Sequence, residues 1–250
     1  MKGSFMKQKI VAIGGGDFTK YQTLSIYKEI VQFSGKTQPK MLFIPTASSD
    51  NAQYAKHILK HYQDLGCTVD FLPLWKQQIN PDDLSSKILS ADIIYVGGGN
   101  TLKMMTLWRR LGVDTLLEQA RKQGTVLCGV SAGSICWFNF GNSDSRKDKN
   151  PQADYIKVTA LGFVDAFHCP HYDTQSDRKA SLKKMMQKHN GVAIALEDCA
   201  ALQILGDSYR IINSNNTARA YKVYWKNGSF YEEAIAISDT FEKLDNLLTK

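Results

Sequence analysis

The first half of the chain alternates between short apolar runs and amphipathic stretches of helical length. The apolar runs lie at residues 9–13, 40–44, 67–72, 92–96 and 125–130. Helical patterns separate and follow them at residues 24–33, 52–65, 82–89, 102–110 and 114–122. Strands alternating with helices at this spacing predict a parallel sheet with helices on both faces. Because the apolar runs are continuous, the strands are expected to be buried on both sides.

The second half of the chain has a less regular pattern. Residues 141–154 are polar and predict a surface loop, which an apolar run at residues 158–167 follows. Helices are expected at residues 132–138, around residues 178–189 and near residues 239–248. Short β-like runs at residues 192–196, 200–205, 209–212 and 220–225 predict a mixed extension of the sheet. No repeat, low-complexity segment or linker interrupts the chain, so residues 1–250 are interpreted as one α/β domain.

Composition narrows the class of protein. The chain has 250 residues, of which 43% are hydrophobic and 22% charged, as in a soluble globular protein. No apolar run approaches the roughly 20 residues of a membrane-spanning helix. Residues 1–8 lack the apolar region and cleavage site of a signal peptide. The five cysteines form no Cys-x-x-Cys pair and predict a reducing compartment without disulfides. A cytoplasmic location is therefore expected.

The chain is basic, with a net charge of +7 and an isoelectric point near 9.0. Its lysines are scattered, and no dense basic tract or interleaved aromatic platform accompanies them. A solvated basic surface that can also attract acidic small molecules is favoured over a nucleic-acid-binding surface.

The strongest local motif is Gly129-Val130-Ser131-Ala132-Gly133, which follows an apolar run and precedes a predicted helix. It matches the G-x-S-x-G nucleophile elbow, a sharp strand-to-helix turn that exposes a serine hydroxyl. The Ala132 amide, at a helix N-terminus, would face the same pocket and donate to an oxyanion. The alternative is a helix start rich in small residues, in which Ser131 or Ser134 only caps the helix.

A catalytic serine requires a base, and His171 is the best candidate. Pro170 restricts the backbone before His171, which suits a residue that must be held in position, whereas His168 is predicted to be a packed, supporting histidine. His57 and His61 have metal-ligand spacing on a predicted helix, but no glutamate follows the first as in zinc peptidases. They are interpreted as an exposed pair, and no metal is predicted.

An acid should orient the histidine through its other ring nitrogen. Glu197-Asp198 ends the apolar run at residues 192–196, where catalytic groups collect in open α/β sheets. A polar turn between two strands explains this pair equally well. Asp173 and Asp165, on either side of His171 in the chain, are competing candidates.

Two glycine-rich loops follow predicted strands, at residues 14–16 and 97–99. Neither has dinucleotide-binding spacing or a Walker lysine, so no cofactor is predicted. If the strand before the second loop is a neighbour of the elbow strand, the amide of Gly98 or Gly99 completes the oxyanion hole. Asn100 is expected to cap the next helix.

Together, the motifs at residues 96–101, 129–134 and 170–172 resemble the peptidase E family, which includes aspartyl dipeptidases and cyanophycinases. The resemblance covers residues 9–225. It implies a flavodoxin-like sandwich similar to class I glutamine amidotransferases, with a mostly parallel central sheet. It also implies a metal-free serine hydrolase with Ser131 as nucleophile, His171 as base and Glu197 as orienting acid.

The resemblance further implies substrate contacts. Arg178 matches an arginine that pairs with the N-terminal aspartyl side chain in the family's dipeptidases, and Asn100 and Asp173 are further substrate-binding candidates. The departures at residues 14–16 and 172–173 weaken a strict aspartate preference.

The resulting hypothesis is a cytoplasmic serine peptidase, a possible homodimer, that acts on small peptides with a possible preference for N-terminal aspartate. The alternative is an amidotransferase-like or cyanophycinase-like relative that binds or hydrolyses another acyl or amide substrate. A glutaminase is disfavoured because the elbow carries serine in place of cysteine.

Overall fold

The computed structural model describes residues 7–76 and 79–250. Sequence analysis found no signal-peptide features in residues 1–8, and residues 1–6 of this segment lie outside the described residues. The fold is mixed α/β, with two β-sheets and flanking helices. None of the helices within residues 7–76 and 79–250 combines the length and apolar character needed to cross a bilayer.

The strands are numbered in chain order. They are β1 (Lys9–Ile13), β2 (Lys40–Ile44), β3 (Thr68–Phe71), β4 (Ile93–Val96), β5 (Val126–Val130), β6 (Phe138–Ser143), β7 (Ile156–Thr159), β8 (Val164–Cys169), β9 (Val192–Leu196), β10 (Ala200–Leu205), β11 (Ser208–Asn213), β12 (Ala220–Lys226), β13 (Ser229–Ile235) and β14 (Glu242–Lys243).

The helices are numbered in the same way. They are α1 (Leu24–Ser34), α2 (Ala52–Asp64), α3 (Pro81–Leu89), α4 (Thr101–Leu111), α5 (Val113–Lys122), α6 (Ala132–Ile135), α7 (Ser176–Met186) and α8 (Leu244–Leu248). Short 3₁₀ turns at Phe18–Lys20 and Thr46–Ser48 follow the loops after β1 and β2.

The first sheet has the strand order β14-β11-β10-β1-β5-β4-β2-β3. Neighbouring strands in the stretch β1-β5-β4-β2-β3 are parallel. This confirms the five parallel strands predicted for the first half of the chain. The next strand, β10, runs antiparallel to β1, and β11 and β14 continue antiparallel beyond it. The sheet is therefore mixed.

The second sheet has the order β13-β12-β9-β8-β6-β7 and was not expected as a separate layer. β6 begins at Phe138, where sequence analysis predicted the end of a helix, and that helix stops at Ile135. The apolar run at residues 158–167 divides between β7 and β8. The expected C-terminal helix is shorter, because only residues 244–248 are helical.

The core follows from the alternation of side chains along the central strands. Ile10 and Ala12 of β1 face one buried cluster, while Val11 and Ile13 face another on the opposite side of the sheet. The first cluster also contains Ile194 of β9, so the two sheets share buried apolar surface. The strands β1, β2, β4 and β5 are thus buried on both faces, as their sequence predicted, whereas the edge strand β3 is largely exposed and does not meet that expectation. All five cysteines are buried with free thiols.

Candidate active site

The turn after β5 holds Ser131 in a strained backbone conformation. Ser131 has φ 56° and ψ −114°, which is rare for a residue with a side chain. Its amide donates to Ile13 O at 3.2 Å, and its carbonyl accepts from the amides of Ser134 and Ile135, both at 3.0 Å. A side chain at Gly133 would place Cβ 2.1 Å from Val96 O, so only glycine fits this turn. The strand–turn–helix context predicted for the elbow is present.

His171 follows β8 and also has a positive φ, 52°. Its amide donates to Gly14 O at 3.3 Å, while the Ser131 amide donates to the preceding carbonyl, that of Ile13. Two successive carbonyls at the end of β1 therefore anchor the nucleophile candidate and the base candidate. Within residues 7–76 and 79–250, no direct hydrogen bond joins the Ser131 hydroxyl to the His171 ring.

The carboxylate that contacts His171 belongs to Asp198. His171 Nδ1 and Asp198 Oδ1 lie 2.6 Å apart, and the two side chains are 20% and 25% exposed. The Asp198 amide in turn donates to Asp173 Oδ1 at 2.9 Å. Because Nδ1 is occupied by Asp198, the other ring nitrogen, Nε2, is the one that can exchange a proton with Ser131 or a substrate.

Gly15 makes the close approach of this pair possible. A Cβ atom built on Gly15 would lie 1.9 Å from Asp198 Oδ1 and 2.4 Å from His171 Nδ1. Any side chain at this position would occupy the space between the loop after β1 and the histidine–carboxylate pair. The glycine-rich loop at residues 14–16 is thus part of the site.

Glu197, the acid that the family resemblance indicated, does not contact His171. Its carboxylate accepts from the Arg219 amide at 2.9 Å and from the Tyr221 hydroxyl at 3.0 Å. Successive side chains at a strand end point to opposite sides, so Glu197 and Asp198 face different partners. The expectation of Glu197 as the carboxylate beside the histidine is corrected to Asp198.

The two competing aspartates have other partners. Asp173 is exposed and holds the Asp198 amide, a contact that fixes the acid and involves no direct bond to His171. Asp165 lies on β8 and accepts from the Asn139 side chain. Neither carboxylate touches the imidazole of His171 in the hydrogen bonds that the structure describes.

His168 is a buried, supporting residue, as predicted. It is 0% exposed, and its ring nitrogens lie 2.8 Å from Ser134 Oγ and 2.9 Å from Ile194 O. Burial lowers the pKa of His168 to about 3, so the ring is neutral near pH 7. Ser134 Oγ also lies 2.7 Å from Ser131 O. This network supports the elbow from inside the protein.

The predicted oxyanion donors occupy different environments. Ala132 is the first residue of α6, so its amide has no carbonyl within the helix to bind. Gly98 lies beside Ser131, because a Cβ on Gly98 would be 3.4 Å from Ser131 Cβ. Its amide, however, donates to the Tyr54 hydroxyl at 3.3 Å. Gly99 lies against the backbone of Ala47, because a Cβ on Gly99 would be 2.2 Å from Ala47 O.

Arg178 does not extend into solvent from α7. Its side chain is 1% exposed, and it donates to Gln175 Oε1 at 2.7 and 2.9 Å and to Asn142 O at 2.8 Å. Asp144 lies 3.4 Å from the guanidinium, and the Tyr155 ring packs over it at 4.7 Å. Arg178 is therefore a buried residue of α7. The guanidinium nitrogens bind acceptors of this chain. The structure therefore gives no support for the expected contact between Arg178 and a substrate.

Asn100 is a helix cap with all its polar groups engaged. Its Oδ1 accepts from the Lys103 amide at 2.9 Å, and its Nδ2 donates at 2.7 Å to Ser145 O and to Asp148 Oδ2. The capping role is confirmed. Both polar atoms of the Asn100 side chain already bind groups of this chain, so the hydrogen bonds give no support for the expected role in substrate binding.

The His57 and His61 pair is not an exposed pair. His61 is 2% exposed, and its ring lies 4.5 Å from that of Tyr21. His57 lies near the Phe18 ring at 5.8 Å. Within the described ranges, no group of three or more histidine, cysteine, aspartate or glutamate side chains could hold a metal ion.

A strained serine at a nucleophile elbow and a histidine–carboxylate pair, both anchored on successive carbonyls at the end of β1, are the components of a serine hydrolase site. Comparison with known proteins agrees with this class. The model of peptidase family S51 matches residues 10–212, and the chain belongs to this family of serine peptidases.

Individual relatives carry the same description. The chain is 37% identical over 221 residues to the uncharacterized peptidase YgaJ of Bacillus subtilis (strain 168), covering 87% of this chain and 92% of the relative. It is 24% identical over 215 residues to peptidase E of Streptomyces coelicolor, covering 82% of each chain. The crystal structure of a peptidase from an acI-B1 Actinobacterium superposes with a TM-score of 0.72 at 16% identity, covering 96% of this chain and 98% of the other.

Proposed function

We propose that the protein hydrolyses small peptides with a catalytic triad of Ser131, His171 and Asp198. The observation that carries this proposal is the 2.6 Å hydrogen bond between His171 Nδ1 and Asp198 Oδ1, together with the anchoring of Ser131 and His171 on the successive carbonyls of Ile13 and Gly14. The bond presents Nε2 of the imidazole as the proton acceptor, and the carboxylate stabilises the imidazolium that forms during the reaction.

The reaction proceeds in two halves. Ser131 Oγ attacks the carbonyl carbon of the scissile peptide bond while His171 Nε2 takes the hydroxyl proton. The carbon–nitrogen bond then breaks, the leaving amine receives that proton, and an acyl ester remains on Ser131. Water attacks the ester, its proton passes to His171, and the acid product leaves as the proton returns to Ser131.

The oxyanion formed in each half requires hydrogen-bond donors close to Ser131. The Ala132 amide at the start of α6 is one such donor, because no carbonyl of its own helix can accept from it. No acidic specificity is assigned to Arg178, because Gln175, Asn142 and Asp144 already surround its guanidinium. The proposal therefore covers small peptides without a required N-terminal aspartate.

The test is replacement of the nucleophile. Ser131→Ala should remain folded and lose about a millionfold in turnover, as triad serines elsewhere do. Ser85→Ala removes an exposed hydroxyl on α3 and serves as the control. Activity is measured as amine release from a panel of dipeptides and isoaspartyl peptides, together with mass spectrometry of fluorophosphonate-labelled protein. The proposed triad would be contradicted if the label is found on a residue other than Ser131, or if the Ser131→Ala variant is active.

A further inference from the structure

The hydroxyl of Tyr54 lies next to the nucleophile loop. Tyr54 is on α2, and its Oη accepts a hydrogen bond of 3.3 Å from the Gly98 amide. Gly98 adjoins Ser131, since a Cβ atom on Gly98 would lie 3.9 Å from Ser131 Oγ. The tyrosine hydroxyl and the serine hydroxyl are therefore both neighbours of Gly98.

This contact changes how the oxyanion hole is assembled. The amide proton of Gly98, which the sequence indicated as an oxyanion donor, points to Tyr54. A tyrosine hydroxyl can accept through a lone pair and still donate its own proton. The Tyr54 hydroxyl can thus donate to an oxyanion in place of the Gly98 amide.

The Tyr54 hydroxyl proton has no protein acceptor among the hydrogen bonds of the described residues. Other tyrosine hydroxyls donate to glutamate carboxylates; these are Tyr172, Tyr209, Tyr221 and Tyr224. Burial raises the pKa of Tyr54, so its hydroxyl keeps the proton at neutral and moderately alkaline pH. A protonated hydroxyl without an acceptor is available to a ligand.

The ring of Tyr54 is held in place by aromatic neighbours. Its centroid lies 4.7 Å from that of Phe18 and 5.4 Å from that of Phe43, which it meets edge-on. A Cβ atom on Gly97 would lie 2.9 Å from the ring. Donors that are fixed before the reaction stabilise developing charge without the cost of reorganisation.

We propose that Tyr54 is a catalytic residue that donates its hydroxyl hydrogen bond to the oxyanion, together with the amide of Ala132. The Gly98 amide serves by binding Tyr54 Oη, which orients the hydroxyl and strengthens it as a donor. The proton stays on the tyrosine throughout, so no covalent bond changes at this residue. The inference rests on the proposed function, because it assigns a donor to the oxyanion formed at Ser131.

The test compares Tyr54→Phe with Tyr27→Phe. The control removes a hydroxyl from the same aromatic cluster, one that bonds to Tyr95 at 3.1 Å. Tyr54→Phe should lower kcat by about 100-fold to 1,000-fold with little change in KM, the effect of removing one oxyanion donor. Binding of a peptide aldehyde, which forms a tetrahedral adduct, should weaken in parallel, whereas binding of the product peptide should not. Tyr27→Phe should keep the native kcat.

The outcomes separate this inference from the proposed function. Native kcat in Tyr54→Phe, with Ser131→Ala inactive, overturns the role of Tyr54 and leaves the triad. Absence of Ser131-dependent hydrolysis and labelling in the native protein overturns both. If Tyr54→Phe does not fold, 3,5-difluorotyrosine at this position lowers the phenol pKa and should add an alkaline loss of activity. An unchanged pH profile in that folded variant contradicts the proposal.

Discussion

His171 Nδ1 and Asp198 Oδ1 lie 2.6 Å apart, and the two residues follow neighbouring parallel strands, β8 and β9. The carboxyl ends of parallel neighbours meet at one edge of a sheet, which explains why residues 27 positions apart come together. The first sheet supplies the third residue of the proposed triad, Ser131, after β5. The site therefore lies where the two sheets meet.

The choice between the two adjacent acids can be tested directly. Asp198→Asn should lower kcat by about 10,000-fold, because an amide favours the wrong tautomer of a triad histidine. The Arg219 amide and the Tyr221 hydroxyl donate to different oxygens of Glu197, so Glu197→Gln keeps an acceptor for only one of them; neither bond involves His171, and kcat should stay close to the native value. Steady-state kinetics on one dipeptide compares the variants. The reverse pattern would return the role of triad acid to Glu197.

Gly15→Ala should inactivate the protein while leaving it folded. The new methyl group would lie within 2.4 Å of both His171 Nδ1 and Asp198 Oδ1, so the pair must separate. Gly35→Ala is the control, because a Cβ at Gly35 meets nothing within 4 Å. Its φ of 73° is unfavourable for alanine, so this variant should lose stability but keep its activity. Kinetics and thermal unfolding are measured on both variants. Native turnover in Gly15→Ala would show that this close approach is unimportant for catalysis.

The buried His168 should make stability depend on pH. Burial lowers its pKa to about 3, whereas an unfolded histidine titrates near 6.5. The unfolded state therefore binds more protons between these values, and the contribution of His168 is lost as pH falls from about 6.5 toward 3. Between pH 6.5 and 4.5 the loss is about 2–3 kcal/mol.

His168→Gln should reduce this dependence, because glutamine does not titrate. Burial also lowers the pKa values of His61 and His189, so part of the slope remains in the variant. Urea unfolding across this pH range measures the difference. An identical slope in both proteins would contradict a neutral, buried His168.

Arg178→Met should reduce stability without changing substrate preference. Removal of the guanidinium leaves Asn142 O without its donor, at a cost of about 1–3 kcal/mol for a buried unpaired acceptor. Lys184→Met, an exposed change on the same helix, should have little effect. The ratio of kcat/KM for Asp-Leu and Asn-Leu should be the same in Arg178→Met as in the native protein. A changed ratio with native stability would place Arg178 at the substrate.

Local sequence determined much of the first half of this protein. Continuous apolar runs predicted β1, β2, β4 and β5 because a strand buried on both faces needs no alternation, and they also located β3, although that edge strand is largely exposed. The elbow around Ser131 could also be predicted, because this sharp turn has no room for side chains at Gly129 and Gly133. His168 and His171 could be distinguished because Pro170 restricts the backbone between them.

Tertiary structure decided the contacts that the site depends on. Glu197 and Asp198 are adjacent in sequence, and only the packing of β12 beside β9 shows which side of the strand faces Tyr221 and which faces His171. The Tyr54 hydroxyl reaches Gly98 across 44 positions, a contact that no local pattern encodes. Burial of Arg178 likewise depends on Asn142 and Gln175, because a polar helix does not reveal which face its neighbours will cover. Local patterns specify backbone conformation, whereas side-chain partners depend on which strands and helices pack together.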